Sequence, residues 1–373
     1  MKRKSYKNIK IKKMNFLKKK FFDSVDDVFG LDVSDLSIKI LQLEKDNESS
    51  KVRSYASVAV SPGDILDGEI IGKEAVASRI KEVVRKAGPK KIKTKKAVCS
   101  LPEAKSFLRL INVPKMSEEE IKEAIKWEME ANIPLPLDQV YYDWQVLDRC
   151  LNCEKGKMSV VVLAMSKKIV DQFLEVLEMA GLEAVSLEVE SIAQMRSLVR
   201  GGDDETDLIV DFGGKRTSFL FSISKIPCFT SGIPLSAQVL TDSISKKMVV
   251  SAKEAEKIKK ESGIGSFIEE DPIFKAVEPV LENMATEIEK TIEFYLSGLK
   301  YSKSINKIIL CGGGANTKGL VPYLSKRLKR DVEIGDPWIN FMTKEKKNIP
   351  IISKEESIQY STAIGLAIKG FGL

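Results

Sequence analysis

Hydrophobic and polar positions alternate along residues 29–44, and the alternation ends at an Asp46-Asn47 turn. A period of two predicts β-strand, so this stretch and the apolar segment 52–61 are predicted to form a β-hairpin. Residues 74–87 change to a helical period, with Val76 and Ile80 on one side, and Gly88 follows as a stop signal. We therefore expect paired strands and then a packed helix at the start of the fold.

The next part of the pattern predicts a compact α+β subdomain inserted at residues 104–181. Ser117 and Glu120 form a capping-box signature that opens a helix, and Pro134 and Pro136 end the helical pattern. A strand at 97–101 precedes this unit. Its own predicted elements are strands at 107–113, 140–147 and 158–165 and a helix that ends at Gly181.

The last third of the chain returns to long strands and helices. We expect a strand at 185–189, a helix at 192–199, a strand at 208–212 and a strand at 307–311. Residues 280–299 place Leu281, Met284, Ile288 and Ile292 on one stripe, which predicts a long amphipathic helix. The sequence has a weak internal two-fold repeat, because a predicted strand ends in an aspartate at Asp32 and again at Asp211.

Composition removes several classes of chemistry. Histidine is absent from the sequence, which excludes Ser-His-Asp and Cys-His catalytic pairs and histidine-ligated metals. Cys150 and Cys153 form a C-x-x-C pair, a spacing that lowers a thiol pKa in redox proteins. Zinc requires four ligands, and the sequence has no second pair. We interpret the two as isolated loop cysteines, with a redox role as the alternative.

Charge is concentrated at the N-terminus. Residues 2–20 carry ten Lys or Arg and no acid, so a net charge of +7 leaves −3 for the remainder. The body is therefore not predicted to bind nucleic acid. Residues 1–28 are predicted to be a flexible basic tail, and the alternative is weak contact of residues 1–22 with anionic lipid. The sequence has no apolar run of bilayer length and no secretory signal, so we expect a cytoplasmic location.

Three turns carry candidate chemistry. The first follows a predicted strand and places Asp32, Ser34, Ser37 and Lys39 around exposed backbone amides. A strand-end carboxylate, hydroxyls and an amine suit a phosphate-binding hairpin with a hydrated divalent ion. A plain Asx-type turn is the alternative interpretation.

The second turn repeats this pattern with Asp211, Gly213, Gly214 and Thr217. Its glycines let backbone amides approach an anion, and a glycine-rich hairpin between domains is the alternative. The third turn has Gly312, Gly313 and Gly314 directly after a strand. These glycines permit close approach of a flat ligand such as adenosine, but their spacing matches neither a P-loop nor a dinucleotide fingerprint.

The order of the three turns and the inserted unit resembles bacterial actins such as MreB and FtsA, and intervening segments resemble the PilM family. Those segments include Val113-Pro114-Lys115-Met116, Ile133-Pro134-Leu135-Pro136-Leu137, Asp143-Trp144-Gln145-Val146-Leu147 and Ala363-Ile364-Gly365-Leu366-Ala367. The similarity covers residues 29–373. It implies an α/β, actin-like two-domain fold with a duplicated ribonuclease H-like core and an inserted FtsA-type α+β subdomain.

The resemblance also implies a division of the chain. It places a first actin-like subdomain at 29–103, to which 182–204 and 357–373 return. Residues 104–181 are the insertion. Residues 205–356 form the second lobe, including a helical subdomain at about 243–299.

The same resemblance implies roles for particular residues. Asp32 and Asp211 would hold Mg²⁺ through water, and the three turns would bind ATP. Glu256 and Lys259 are similar to the ribose- and base-contacting helix, with a solvated charged face as the alternative. Glu190 occupies the position of an acid that orients the attacking water, with a capping carboxylate as the alternative. Departures from the family pattern at Ser34 and at the Lys215-Arg216 pair favour slow hydrolysis.

Family resemblance finally implies a function. The chain would be an ATP-binding scaffold of the type IV pilus, or related secretion, assembly platform. It would bind the cytoplasmic N-terminal peptide of a PilN-like membrane protein, which would bring it to the inner face of the cytoplasmic membrane. Self-association is a further possibility. The alternatives are an FtsA-like filament-forming protein, whose C-terminal membrane helix has no counterpart at 370–373, and a small-molecule kinase of the same superfold.

Overall fold

The computed structural model describes residues 27–371, apart from 47–48, 134, 149, 152–154, 201–204, 269, 299–303 and 342–350. The predicted basic tail therefore lies almost entirely outside the described residues, as does Cys153. Cys150 is disulfide-bonded, and a redox role for the pair stays a prediction. Among the described helices, none combines the length and the apolar composition needed to cross a membrane.

The chain starts with the predicted hairpin. Its first elements are β1 (Phe29–Val33), β2 (Ser37–Asp46), β3 (Ser49–Ala59), β4 (Ile65–Leu66), β5 (Glu69–Ile70), α1 (Lys73–Lys86), β6 (Gly88–Pro89) and β7 (Lys96–Leu101). β1 pairs antiparallel with β2 and parallel with β7. All five residues of β1 are buried, because α1 and the C-terminal helix cover opposite faces of this sheet. The predicted hairpin, first helix and strand at 97–101 are confirmed.

The predicted insertion follows as a sheet with one covering helix. Its elements are β8 (Ser106–Pro114), α2 (Glu118–Asn132), β9 (Val140–Val146) and β10 (Lys157–Ser166), followed by α3 (Lys167–Met179). The predicted capping box is present, since Ser117 Oγ accepts from the Glu120 N–H and Glu120 accepts from the Ser117 N–H. The helix α3 packs on α1, so the insertion's own sheet and helix end before α3 begins. The predicted domain boundaries stay predictions.

The remaining elements complete both lobes. They are β11 (Glu183–Val189), α4 (Glu190–Leu198), β12 (Thr206–Phe212), β13 (Thr217–Ile223), β14 (Ile226–Ile233), α5 (Ala237–Met248), α6 (Ala252–Ser262), α7 (Pro272–Glu293), β15 (Lys307–Cys311), α8 (Leu320–Leu328), β16 (Val332–Ile334), α9 (Lys354–Ser357) and α10 (Ser361–Phe371). Within the described residues the first-lobe sheet has the order β11-β7-β1-β2-β3-β6. The second has the order β16-β15-β12-β13-β14-β8-β10-β9.

The insertion and the second lobe share one continuous sheet. The connection is narrow, because β14 meets β8 at a single register pair, Phe229 with Arg109. The Arg109 guanidinium reinforces it by donating to the Thr230 carbonyl at 3.0 Å and by lying 4.2 Å from the centroid of the Phe229 ring. This edge contact fixes the insertion beside the second lobe.

The long amphipathic helix begins earlier than the pattern predicts. We expected it at 280–299, whereas α7 starts at Pro272 and a π-helical turn follows at 294–298. Asp271 is its N-cap and accepts from two backbone amides, and proline is well suited to the first helical position. Pro279 interrupts the pattern without ending the helix, which explains why the earlier turns were missed.

The C-terminal helix α10 begins at the cleft and packs against the first lobe. It crosses β1 and α4 at very short distance, and a Cβ on Gly365 would overlap the Ala193 carbonyl. Such an approach requires glycine. Its consequence is that the first residues of α10, Ser361 and Thr362, reach the space between the two sheets.

Candidate functional site

Parallel strands from both lobes end at a common cleft. In the first lobe β1 and β11 each run parallel to β7, and in the second lobe β12 runs parallel to β15. The segments that follow these five carboxyl ends line a cleft of about 270 Å³. Ligand sites of open α/β sheets lie at such carboxyl ends. The position therefore marks the candidate site before any side chain is considered.

The first turn contributes a compact hairpin tip. Both the amide and the hydroxyl of Ser34 donate to the Ser37 carbonyl, at 3.0 and 2.9 Å. Lys39 Nζ donates to Ser37 Oγ at 2.8 Å and lies 3.6 Å from Asp32 Oδ2. All four predicted residues of this turn line the cleft. The hairpin thus presents one amine and one carboxylate next to each other.

The second turn faces the first across the cleft. The Gly213 N–H donates to the Arg216 carbonyl at 3.0 Å, and Asp211, Gly213 and Gly214 line the cleft as predicted. Thr217 does not line it. Its side chain is fully buried and its hydroxyl donates to the Leu235 carbonyl at 2.7 Å, so this hydroxyl anchors the segment between β14 and α5.

The third turn is shaped by contact with the second. Gly312 has a φ of +80°, and a Cβ there would overlap the Asp211 carboxylate. Gly312 and Gly313 line the cleft. Gly314 does not, because it is buried against the Phe212 ring behind the turn. Its lack of a side chain serves packing rather than access for a ligand.

Glu256 and Lys259 lie just beyond the cleft lining. They form an ion pair of 2.7 Å on α6, and Lys259 Nζ donates to the Ala237 carbonyl at 3.1 Å. The Ala237 N–H in turn donates to the Gly213 carbonyl at 2.9 Å. The pair is therefore connected to the second turn through one residue. Its predicted contact with ribose and base stays a prediction.

Three buried carboxyl groups converge on the cleft. Burial raises the pKa of Asp32, and Lys39 and the Ser100 hydroxyl offset only part of that effect. Burial likewise raises the pKa of Asp211, although Gln194 donates to it at 2.6 Å. The pKa of Glu190 lies well above its usual value, because of burial first and the neighbouring Asp32 charge second. Asp32 raises the pKa of both other acids, and Asp211 also raises that of Glu190, so three carboxyl groups share the nearby positive charge of Lys39.

Glu190 is held at the base of the insertion. Its Oε2 accepts from the Glu103 N–H at 3.1 Å, and Glu103 stands between β7 and β8. It also begins α4, where a carboxylate interacts favourably with the helix dipole. This position is compatible with a capping carboxylate and with an acid that orients water. The catalytic role of Glu190 stays a prediction.

The cleft suits an anion accompanied by a hydrated cation. In the described part of the chain, no group of three or more His, Cys, Asp or Glu is arranged to hold a bare metal ion. The acids therefore fit an ion whose ligands are mainly water and phosphate. Arg216 lines the cleft, and its Nε is buried without a hydrogen-bond partner among the described residues. An orphan donor of this kind fits an anionic oxygen.

Sequence reasoning missed several residues of the lining. Gln194 Nε2 bridges the Asp211 carboxylate and the Thr362 hydroxyl, the latter at 3.1 Å. Ser218, one residue beyond the predicted Thr217, lines the cleft. A buried amide within an apolar helix was the available signal for Gln194. The hydroxyls of Ser361 and Thr362 at a helix start were the signal for α10.

Two α/β lobes that face each other across a cleft, with a carboxylate at the end of a strand in each, define an actin-like protein. The family model for "Type IV pilus assembly protein PilM" matches residues 30–371, so the chain belongs to that family. Both the fold class and the family predicted from the sequence are confirmed.

Solved structures agree with this assignment. A PilM-PilN type IV pilus biogenesis complex is 27% identical, covers 92% of this chain and 98% of that chain, and has a TM-score of 0.76. The ethanolamine utilization protein EutJ from Carboxydothermus hydrogenoformans is 18% identical, covers 92% and 89%, and has a TM-score of 0.56. MreB 5 of Spiroplasma citri bound to AMPPNP is 14% identical, covers 91% and 95%, and has a TM-score of 0.51. The latter two show the fold alone.

One curated relative is the cell division protein FtsA of Bacillus subtilis (strain 168). It is 24% identical over 192 residues, which are 46% of this chain and 43% of that protein. The chain thus spans less than half of the length of that relative. This partial match adds nothing in favour of the filament-forming alternative.

Proposed function

We propose that this protein is a nucleotide-binding scaffold of the type IV pilus assembly platform, with Mg²⁺-ATP in the cleft between its lobes. The observation that carries the proposal is the convergence of three separate turns on one cleft, where three buried acids face the single charge of Lys39 and the Arg216 Nε donor lacks an acceptor among the described residues. Mg²⁺ would supply the positive charge that the acids need, and phosphate would supply the acceptor that Arg216 needs.

The chain's own residues divide this work. Lys39, Arg216 and the amides around Gly213 would hold the phosphates, because cations and exposed amides bind anionic oxygens. Asp32 and Asp211 would hold the waters of the ion. Gly312 and Gly313 line the cleft without side chains, which leaves room for the adenosine to approach the backbone. The AMPPNP bound to MreB 5 of Spiroplasma citri supports a nucleotide as the ligand of this fold.

Hydrolysis is expected to be slow. A general base must be ionised and within reach of the attacking water. Burial and Asp32 hold the pKa of Glu190 well above its usual value, which disfavours the ionised form. Differential affinity for two conformations is enough to switch a partner without turnover.

The partner we propose is a PilN-like membrane protein, bound through its cytoplasmic N-terminal peptide. The solved complex of PilM with PilN supports this partner, since it shares 27% identity over most of both chains. We place the peptide beside residues 104–181, where the insertion meets the first lobe. Such a partner would bring the protein to the inner face of the cytoplasmic membrane.

Peptide titration with and without ATP tests the proposal. A synthetic peptide of about ten residues from the N-terminus of the PilN-like protein should bind with micromolar affinity. Saturating Mg²⁺-ATP should change that affinity by roughly 5- to 150-fold. A scrambled peptide is the control. Absence of binding in both nucleotide states would refute the scaffold role, and ATP-dependent sedimentation in its place would favour a filament-forming protein.

A further inference from the structure

A second surface lies at the opposite end of the first-lobe sheet from the cleft. The parallel strands β1, β7 and β11 end at the cleft, so their first residues form the far edge. A strand as long as β7, six residues, separates the two edges by about 17 Å. The C-terminal half of α1 and the turn after α3 border this far edge, because each of these helices leads back to the start of a strand.

This far edge is strongly basic. Residues 83–102 contain seven Lys or Arg and no acid. Two of the nearby carboxylates are already satisfied: Glu44 pairs with Lys90 and Arg53, and Glu82 pairs with Lys86 and Arg79. A third, Glu183, begins β11 opposite Lys96 and leaves the edge with a large excess of positive charge. The exposed side chains of Lys81, Arg85, Lys93, Lys95 and Lys96 form no ion pair with a carboxylate in the described part of the chain. We call these five residues the basic rim.

The rim surrounds an apolar groove. The groove has a volume of about 290 Å³, and Ile80, Val84, Ile92 and Leu182 line it. Val84, Ile92 and Leu182 are only half-buried, so apolar surface remains open to solvent between the cations. Cations around partly exposed apolar side chains are the combination that binds the headgroup region of an anionic bilayer.

The first described strand of the chain, β1, begins at this same edge. Phe29, the first residue of β1, pairs with Ala97, the residue after Lys96. The preceding residues 2–20 carry ten Lys or Arg, and Phe16, Leu17, Phe21 and Phe22 interleave with them or follow directly. A second basic and apolar stretch of the sequence therefore precedes the strand that begins at this edge.

We propose that the basic rim and its groove form a surface that binds anionic phospholipid bilayers directly. An anionic bilayer suits this groove better than the chain's own residues 1–22 do, because the ten positive charges of that sequence would be repelled by the cations of the rim. In this orientation the nucleotide cleft opens on the edge away from the membrane. The inference is independent of the proposed function, since it uses no residue of the cleft.

Vesicle binding of the full chain tests the proposal. The wild-type chain should bind vesicles of phosphatidylcholine and phosphatidylglycerol at about 3:1 and should not bind phosphatidylcholine alone, because the surface potential of the anionic lipid attracts the cations. The K81Q/K93Q/K95Q variant should bind the anionic vesicles roughly 100-fold more weakly, at about fivefold for each cation removed. Raising the salt concentration should weaken wild-type binding in the same direction.

A matched variant separates location from net charge. K246Q/K247Q/K253Q also removes three lysines, but from the helices α5 and α6 of the second lobe. Its vesicle affinity should stay within about twofold of wild type, since these residues lie outside the proposed surface. Equal losses in both variants would overturn the proposal in favour of non-specific attraction. Failure of the wild-type chain to bind anionic vesicles would overturn it in favour of an acidic protein partner.

A third variant tests the groove. Leu182→Ser keeps every charge and removes apolar surface, so it should weaken vesicle binding about tenfold and leave retention on a soluble polyanion such as heparin unchanged. Unchanged vesicle affinity in this variant would remove the groove from the proposed surface. All variants should bind Mg²⁺-ATP and the PilN-like peptide as wild type does, so a failure of the proposed function would appear separately from a failure here.

Discussion

Two buried glutamates at the end of β11 differ sharply in their surroundings. Glu188 accepts from Arg196 at 2.5 and 2.7 Å and from Lys369 at 3.0 Å. Burial alone would raise its pKa, but these two cations outweigh burial and lower the pKa to about 2. Glu190, two residues further on, has no comparable cation among the described residues, and burial and Asp32 raise its pKa well above the usual value.

The difference distinguishes charged groups that stabilise the fold from charged groups that bind a ligand. The Glu188 cluster is complete within the chain and joins β11, α4 and α10, so its electrostatic energy is realised as soon as the protein folds. The cluster of Glu190, Asp32 and Asp211 is incomplete, because Lys39 brings one positive charge to three acids, and a bound cation would supply the rest. A buried acid that is not fully paired with cations lowers the stability of the fold. Binding sites commonly keep such a destabilising group because it binds the ligand.

The largest expected effect comes from breaking the complete cluster. Arg196→Met should lower the free energy of unfolding by about 3–5 kcal/mol, because it leaves the Glu188 charge buried with Lys369 alone. Urea denaturation measures this change. The double variant Glu188→Met with Arg196→Met should regain most of the loss, since both charges are then removed. Equal stability of wild type and the single variant would contradict the assignment of the cluster as structural.

The next prediction concerns the incomplete cluster. Asp211→Asn keeps an acceptor for Gln194 and removes a buried charge, so it should leave the unfolding free energy unchanged or raise it. The same variant should weaken Mg²⁺-dependent ATP binding on the order of 100-fold, as expected for an acid that holds the waters of a metal. Calorimetry with Mg²⁺ and with EDTA separates the two contributions. Unchanged Mg²⁺-ATP affinity would place the second turn away from the phosphates.

A pH titration should distinguish the two clusters by the sign of their effects. The raised pKa values of Glu190, Asp32 and Asp211 mean that acidification neutralises this cluster first, at pH values above the ordinary carboxyl pKa. In that range Mg²⁺-dependent ATP affinity should fall about tenfold, while this cluster's contribution to stability without ligand rises.

The contribution of Glu188 to stability depends on pH with the opposite sign. Its depressed pKa contributes stability that is fully present above the ordinary glutamate value and is lost as the pH falls towards about 2. Thermal melts without nucleotide, in wild type and Glu190→Gln, measure both effects. If the Glu190→Gln variant shows the same pH dependence of Mg²⁺-ATP affinity as wild type, Glu190 does not belong to the cluster.

The ligand-binding acids of the cleft could largely be predicted from the sequence, because they lie in turns whose residues are close together along the chain. Asp32 and Asp211 are recognisable as strand-end acids before tight turns, and both lie at the cleft. The error at Thr217 has a simple cause. Successive residues of a strand point to opposite faces, and an assignment one residue out of register chooses the buried Thr217 over the cleft-lining Ser218.

The partners of the two glutamates could not be predicted. Glu188 is completed by Lys369, and Asp211 is connected through Gln194 to Thr362, contacts between parts of the chain that are far apart in sequence. Such contacts depend on the way α10 crosses α4, which the hydrophobic pattern of α10 does not specify. The hydrophobic periodicity predicts the helix that contains Gln194, but it does not predict which polar side chains contact Gln194.

The smallest predicted effect tests whether a raised pKa by itself marks the site. Asp207 is buried at the start of β12, away from the cleft, and one of its carboxylate oxygens has no hydrogen-bond partner among the described residues. Burial and the nearby Glu205 raise its pKa to about 6, against the opposing charge of Lys307. This acid is costly when ionised and has no access to a ligand in the cleft. Asp207→Asn should therefore stabilise the protein by about 1 kcal/mol at neutral pH and have little effect below the raised pKa, where Asp207 is already neutral. Its Mg²⁺-ATP affinity should equal that of wild type, in contrast to Asp211→Asn on the same strand. If Asp207→Asn also weakens nucleotide binding, the two ends of β12 are coupled, and position at the carboxyl end no longer separates the ligand-binding acids from the others.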